Sequence, residues 1–295
     1  MQPLSSETRL LGKSGILVSP IAWGMWRFAG QPVANAQHLI ETALDAGITL
    51  FDTADIYGVD GPGFGAAEGL LGEVLRATPG LRDRMVLATK GGIVPGVPYD
   101  SSPDYLARAL DASLARLGVE QVDLWQIHRP DLLAHPADVA AALERMVESG
   151  KVRAIGVSNF TSAQTAALQA HLPFPLAATQ PELSALHTAP VTDGLLDQAL
   201  QHGMAVLAWS PLGGGRIGQG GDAVSALLDA KGEASGVSRT AAAYAWIMAH
   251  PAAPIPIVGS QSPARIVESM DALTVGWTRA EWYAVFEAST GTKLP

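Results

Sequence analysis

The sequence predicts an α/β fold, a (β/α)8 TIM barrel with an N-terminal β-hairpin, built as one domain over residues 1–295. Three observations carry this. Short apolar, β-branched runs alternate with segments whose apolar residues recur at helical spacing, eight times from Ile21 onward. No linker or low-complexity stretch interrupts the series, and strands alternating with helices imply a parallel sheet with right-handed crossovers. Polar groups recur at the ends of the apolar runs, at Asp52, Lys90, His128, Asn159, Gln180 and Trp209. In a closed barrel those ends form the face where chemistry gathers.

The elements follow in order. Arg9 to Val18, punctuated by Gly12 and Gly15, reads as the hairpin, and Ile21–Gly24 as the first barrel strand. Residues 33–46 form a helix with Leu39, Ile40, Ala43 and Leu44 on one face and Gly47 as its stop. A strand at 48–52, a glycine-rich loop at 58–65 and a helix at 66–76 come next. Met85–Ala88 is a strand, and Ser102-Pro103 opens a helix with a capping serine and a proline in the first turn, ended by Gly118. Val122–Ile127 is a strand, 137–149 a helix, and Val152–Val157 a strand. Thr161 and Gln164 form a capping box for the helix that follows. Strands at 176–180 and 204–209 flank a helix at 193–202, and 223–230 is a short extra helix. A helix at 239–249, a strand at 254–258, a helix capped at Ser262-Pro263 and a terminal helix at 279–289 complete the chain.

Composition sets bounds on function. Hydrophobic residues are 48% and charged residues 16% of the 295, enough for a large core. A net charge of −9 argues against nucleic-acid partners or a polybasic membrane patch. The absence of cysteine excludes disulfides, thiolate catalysis and cysteine zinc sites. No His/carboxylate pair at ligand spacing points to a metal. Met1–Glu7 lacks a basic region followed by an apolar one, and no apolar run is long enough to span a bilayer, so the expectation is a cytoplasmic protein without a membrane partner. The Asn159-Phe160-Thr161 sequon is then not expected to be used.

The stretch from Phe51 to Gly58 is the most informative. An apolar run stops at Asp52, Asp55 and Tyr57. A tyrosine donates a proton near neutral pH only if its pKa falls from about 10. A neighbouring lysine would favour the phenolate, and a carboxylate would hold that lysine charged. Lys90 and Asp52 are of the right type and at equivalent strand ends. Taken singly, Tyr57 and Lys90 read as a surface tyrosine and a solvated lysine, and His128 as a hydrogen-bonded core histidine, the category in which His135 and His187 stay. Trp23, Trp125 and Trp246 read as packing, whereas the position of Trp26 favours a pocket wall.

Over nearly its whole length the chain resembles the aldo-keto reductases, most closely their bacterial oxidoreductase branch. The segments that carry the resemblance are Phe51–Gly58, Ala88–Lys90, Asp123–Pro130, Gly150–Phe160 and Ala208–Gly213. It implies a catalytic tetrad of Asp52, Tyr57, Lys90 and His128, and reversible hydride transfer between a nicotinamide cofactor, usually NADPH, and a carbonyl. Tyr57 would be the general acid, Lys90 its pKa-lowering neighbour, Asp52 the anchor of Lys90, and His128 a group that orients the substrate oxygen or assists proton relay.

The resemblance also assigns the cofactor contacts. Ser158, Asn159 and Gln180 would hold the nicotinamide carboxamide, and Trp209 would stack on its ring where the family usually has tyrosine. Met25, Trp26 and Asp52 would lie beside it, and Ser210, Pro211, Leu212, Gly213, Gly214 and Arg216 would line the pyrophosphate. Ser260 and Arg265 would reach the adenosine phosphate and Glu268 the adenine. Trp26, Tyr57 and His128 would form the substrate pocket. Gly259 stands where many members carry a basic residue for the 2′-phosphate, so NADH use stays open.

Other motifs carry less. Gly213, Gly215 and Gly218 match a dinucleotide fingerprint by letter, but they lie late in the chain and no helix is expected to open directly from them. Residues 156–160 lack the second glycine of a nucleophile elbow. A non-catalytic NADPH-binding barrel that reports redox state to a partner is the alternative function, and a metal-dependent barrel hydrolase a distant third. Substrate identity and oligomeric state are not legible in the sequence.

Overall fold

The computed structural model describes residues 7–295, so the segment read for a signal lies outside the described residues up to Ser6. The hairpin pairs β1 (Arg9–Leu10) antiparallel with β2 (Leu17–Val18). Eight parallel strands then close into a barrel. They are β3 (Ala22–Gly24), β4 (Leu50–Asp52), β5 (Val86–Gly91), β6 (Val122–Ile127), β7 (Val152–Ser158), β8 (Ala178–Gln180), β9 (Ala205–Ala208) and β10 (Ile255–Val258). Closure comes where β10 pairs with both β3 and β9.

The helices are α1 (Val33–Asp45), α2 (Ala66–Ala77), α3 (Pro103–Leu117), α4 (Pro136–Glu148), α5 (Ser162–Gln169), α6 (Leu195–His202), α7 (Arg216–Gln219), α8 (Ala223–Ser235), α9 (Arg239–Met248), α10 (Pro263–Glu268) and α11 (Arg279–Thr290). Their ends follow the local chemistry. Ser102 accepts from the Tyr105 N–H and Gly118 turns left-handed after α3. Thr161 with Gln164, and Thr278 with Glu281, close capping boxes on α5 and α11.

Two apolar layers hold the barrel. The outer one packs the helices on the strands and contains Trp23, Phe51, Trp125 and Trp246. The inner one fills the barrel with Ala22, Leu50, Ala88, Leu124, Leu207 and Ile255, and takes in Leu11, Ile16 and Val18 from the hairpin. The hairpin sits hard against the N-terminal ends of the strands. A Cβ on Gly12, whose φ is +57, would lie 2.2 Å from the Ala177 carbonyl oxygen, so only glycine fits that turn.

Several expectations need correction. β5 runs on through Thr89, Lys90 and Gly91, because these pair with Trp125, Gln126 and Ile127. The glycine run does lead straight into a helical turn, α7, although the strand before it belongs to a closed barrel and not to a doubly wound sheet. The extra helix α8 extends to Ser235, opened by Asp222 accepting from the Ser225 N–H. The Ser262 side chain does not cap α10. Nor is His135 a core residue: it is exposed, and its Nδ1 accepts from the Ala137 N–H at the start of α4. His187 is half-buried.

Candidate active site

At the C-terminal ends of the strands, β4 ends on Asp52, β5 presents Lys90 one residue from its end, and the loop after β4 returns Tyr57 towards both. That loop is fixed by main-chain bonds from the Thr53 N–H to the Ala88 oxygen and from the Asp55 N–H to the Lys90 oxygen. Lys90 is fully enclosed, and its Nζ donates to Asp52 Oδ2 at 2.6 Å, to the Thr53 carbonyl at 2.9 Å and to the Tyr57 hydroxyl at 3.1 Å. His128, one residue past β6, faces the Tyr57 ring edge-on at 5.8 Å, and Trp26 meets the same ring edge-on at 5.1 Å. The four residues expected together are together.

Burial governs the electrostatics. It raises the Tyr57 phenol above its ordinary value; Lys90 pulls it down, while Asp52 and Asp55 push it up. The net direction is therefore opposite to the simple expectation that Lys90 lowers it, because desolvation of a sealed phenol outweighs one nearby cation. Burial alone would lower Lys90, but the Asp52 carboxylate and Tyr57 raise it overall, so its charge is secure. His128 is held well below the ordinary imidazole value by burial, then by the Lys90 and Arg129 charges. It is neutral at pH 7, and its Nδ1 is buried without a partner.

A second network joins the next strand ends. Gln180 Nε2 donates to Asp52 Oδ1 at 2.9 Å, and Ser158 Oγ to the Gln180 carbonyl at 3.0 Å. Asn159 Nδ2 donates to the His128 carbonyl and to Ser158 Oγ, and Asn159 Oδ1 accepts from Trp209 Nε1 at 2.9 Å. The Arg129 guanidinium lies 5.9 Å from the centre of the Trp209 ring, which is half-exposed. Asn159 and Ser210 adopt positive φ although neither is glycine, a conformation that concentrates at binding sites.

The residues after β9 and β10 suit a dinucleotide. Gly213, Gly214 and Gly215 all have positive φ, and Cβ positions on Gly214 and Gly215 would meet nothing within 4 Å. Their main chain is bare on that side, as close approach to a phosphate requires. Ser210 Oγ accepts from the Gly214 N–H, and Arg216 Nε donates to the Gly213 carbonyl, which leaves its outer guanidinium nitrogens exposed. Pro211 is buried and Leu212 half-buried. Arg265 is exposed and Gly259 is open. Ser260 is tied down, its hydroxyl accepting from the Ser262 N–H and its carbonyl from Trp23 Nε1. Glu268 accepts from Thr240. Met25 differs from the rest: its side chain is fully enclosed in the outer core, so only its main chain, bonded to the Asp52 carbonyl, is near the site.

Sequence reading missed three groups. Gln126, enclosed in β6, reaches Asp52 Oδ1 at 3.4 Å; its place in an apolar strand was the signal. Glu68, fully buried, accepts from Thr89 and Arg116. Asp55 is buried with neither carboxyl oxygen hydrogen-bonded. Among the described residues no cluster of His, Asp and Glu suits a metal, and no helix is long and apolar enough to cross a membrane.

Comparison with known proteins agrees with this geometry. The profile of the Aldo/keto reductase family matches residues 20–289. The 6-dehydroglucose reductase of Novosphingobium aromaticivorans is 59% identical over 99% of both chains. Oxidoreductase YdhF of Escherichia coli is 37% identical, covering 94% of this chain and 95% of its own. The solved structure of the glycerol dehydrogenase AKR11B4 from Gluconobacter oxydans superposes with a TM-score of 0.83 at 29% identity, over 97% of this chain and 95% of that one.

Proposed function

We propose how this chain, which belongs to the Aldo/keto reductase family and is an NAD(P)-dependent oxidoreductase of carbonyl reduction, carries out its reaction. Asp52, Tyr57, Lys90 and His128 form the catalytic tetrad. When bound, the reduced nicotinamide supplies the hydride for the carbonyl carbon. Tyr57 supplies the proton for the carbonyl oxygen. Its hydroxyl accepts from Lys90, leaving its own hydrogen free to donate outward. The Lys90 ammonium, fixed by Asp52, stabilises the phenolate as it forms. His128 is neutral, so it serves as a hydrogen-bonding group that orients the substrate oxygen rather than as the acid.

The observation that carries this reading is the enclosed chain Asp52–Lys90–Tyr57, with links of 2.6 and 3.1 Å. Ser158, Asn159, Gln180 and Trp209 hold the nicotinamide end and residues 210–216 the pyrophosphate. The cofactor is NADPH, with Arg265 and Arg216 as the exposed cations for its 2′-phosphate; residues 1–295 act as one cytoplasmic domain. The substrate class is a sugar whose terminal carbon stands at the aldehyde level, following the name of the 59% identical relative. The half-exposed Trp26 offers a flat apolar face for such a ring.

Mixing the protein with NADPH and 4-nitrobenzaldehyde tests the chemistry through loss of NADPH absorbance. Tyr57→Phe lowers kcat by roughly 10²–10⁴-fold while NADPH still quenches tryptophan fluorescence. Retained turnover would remove Tyr57 from its role, and a wild type that binds NADPH without consuming it would favour a regulatory barrel. Arg265→Ala weakens NADPH binding far more than NADH binding; equal losses would take Arg265 away from the 2′-phosphate.

A further inference from the structure

Asp55, two residues before Tyr57, takes no part in the proton transfer above. It is 1% exposed, and neither carboxyl oxygen makes a hydrogen bond of normal geometry, although the adjacent Ile56 N–H is near enough to favour its charged form. Such a group is rare in a native interior, where buried polar atoms are almost always paired. Its main-chain N–H donates to the Lys90 carbonyl at 3.0 Å, so it is stitched to the strand that presents the ammonium. The side chain faces Gly91. A Cβ built there would lie 3.2 Å from Asp55 Oδ2, 2.9 Å from the Trp125 ring and 3.4 Å from Ala109. The carboxyl is thus enclosed by β5, β6 and α3.

The charged groups around it are already committed. Glu68 on α2 takes Arg116 of α3 and the Thr89 hydroxyl of β5. Lys90 is held by Asp52 and Tyr57. Tyr105 of α3 is pushed up to about 12 by burial, then by Asp55 and Asp100. Burial, then Glu68, raises Asp55 to about 8, against weaker pulls from Arg116, the Ile56 N–H and Lys90.

We propose that Asp55 is a positioning residue for carbonyl reduction, sealed and unpaired behind the Tyr57 loop so that no second carboxylate opposes the phenolate. This rests on Tyr57 acting as the proton donor, as proposed above. An ionised carboxylate in the same place raises the Tyr57 phenol, which opposes formation of the phenolate. Asp55 keeps its proton throughout the reaction; it acts by having no charge.

The test compares kcat with NADPH and 4-nitrobenzaldehyde from pH 6 to 9.5 in the wild type and in Asp55→Asn. The amide has the same shape and cannot ionise. The ratio of kcat at pH 9 to kcat at pH 7 is severalfold higher in the variant; equal ratios overturn the proposal. Asp55→Ser allows the same comparison should the amide variant fail to fold. Infrared spectroscopy gives a readout independent of turnover. The wild type shows a protonated carboxyl stretch at pH 7 that disappears by pH 9.5 and is missing from both variants. No such band at pH 7 overturns the proposal. A wild type without turnover would instead defeat the reductase assignment, so the two failures are distinguishable.

Discussion

The two ends of the barrel each bury an acid among cations, and they do it differently. At the N-terminal end, Asp123 accepts from Arg82 at 2.8 Å, from Arg153 at 2.6 Å and from the Leu87 N–H at 2.8 Å. Both carboxylate oxygens are satisfied, and the two guanidinium groups keep contact with water. At the C-terminal end, Lys90 and Asp52 are sealed, the cation is shared with a phenol, and unpartnered atoms lie nearby at Gln126 Oε1 and His128 Nδ1. A fully satisfied cluster holds strands together. A cluster that shares its cation with a phenol keeps a proton that can move, and that distinguishes a site from a clamp.

Substitutions sharpen the contrast. The largest effect is expected for Lys90→Met, which keeps the length of the side chain and removes its charge. It lowers kcat by roughly 10²–10⁴-fold, measured by NADPH consumption, because the phenolate loses its cation. Asp123→Ala affects the other quantity. Both guanidinium groups stay in contact with water, so the main cost is the Leu87 N–H left unpaired, about 1–3 kcal/mol, read as a lower urea midpoint, while kcat at a temperature where the variant stays folded is unchanged. If Asp123→Ala also abolished turnover in folded protein, the division between the two ends would fail.

A smaller effect follows from His128. Its folded-state pKa is depressed below the ordinary 6.5, so the unfolded chain takes up its proton first as pH falls. Stability is therefore lost below about pH 6.5, at up to about 1.4 kcal/mol per pH unit, until the folded imidazole titrates. His128→Asn flattens that slope in urea titrations between pH 7 and 5. An identical slope in the variant would mean that another group drives acid unfolding.

Much of the site is legible in the sequence because its parts are local. A carboxylate, a lysine and a histidine that each end an apolar run announce themselves at Asp52, Lys90 and His128, and the capping box at Thr161 follows from residues three apart. What was missed depends on distant segments. The upward net shift of Tyr57 arises from how completely neighbouring elements exclude water, which no local motif encodes. Asp55 lies within the most recognisable stretch of the chain, yet its isolation needs Trp125, Ala109 and Gly91 to meet around it. The apolar run stops at Ala88, yet the strand continues through Thr89, Lys90 and Gly91 because β6 supplies the partners. The enclosed side chain of Met25 is likewise a property of the packing against it.

The hairpin decides which end of the barrel stays open. Leu11, Ile16 and Val18 stopper the lower end of the barrel, and the fit at Gly12 leaves no slack there. Every molecule that reaches Tyr57 must come and go through the upper rim. Ligand access is thereby a property of the loops at that rim alone, and the packed lower end is free to serve stability.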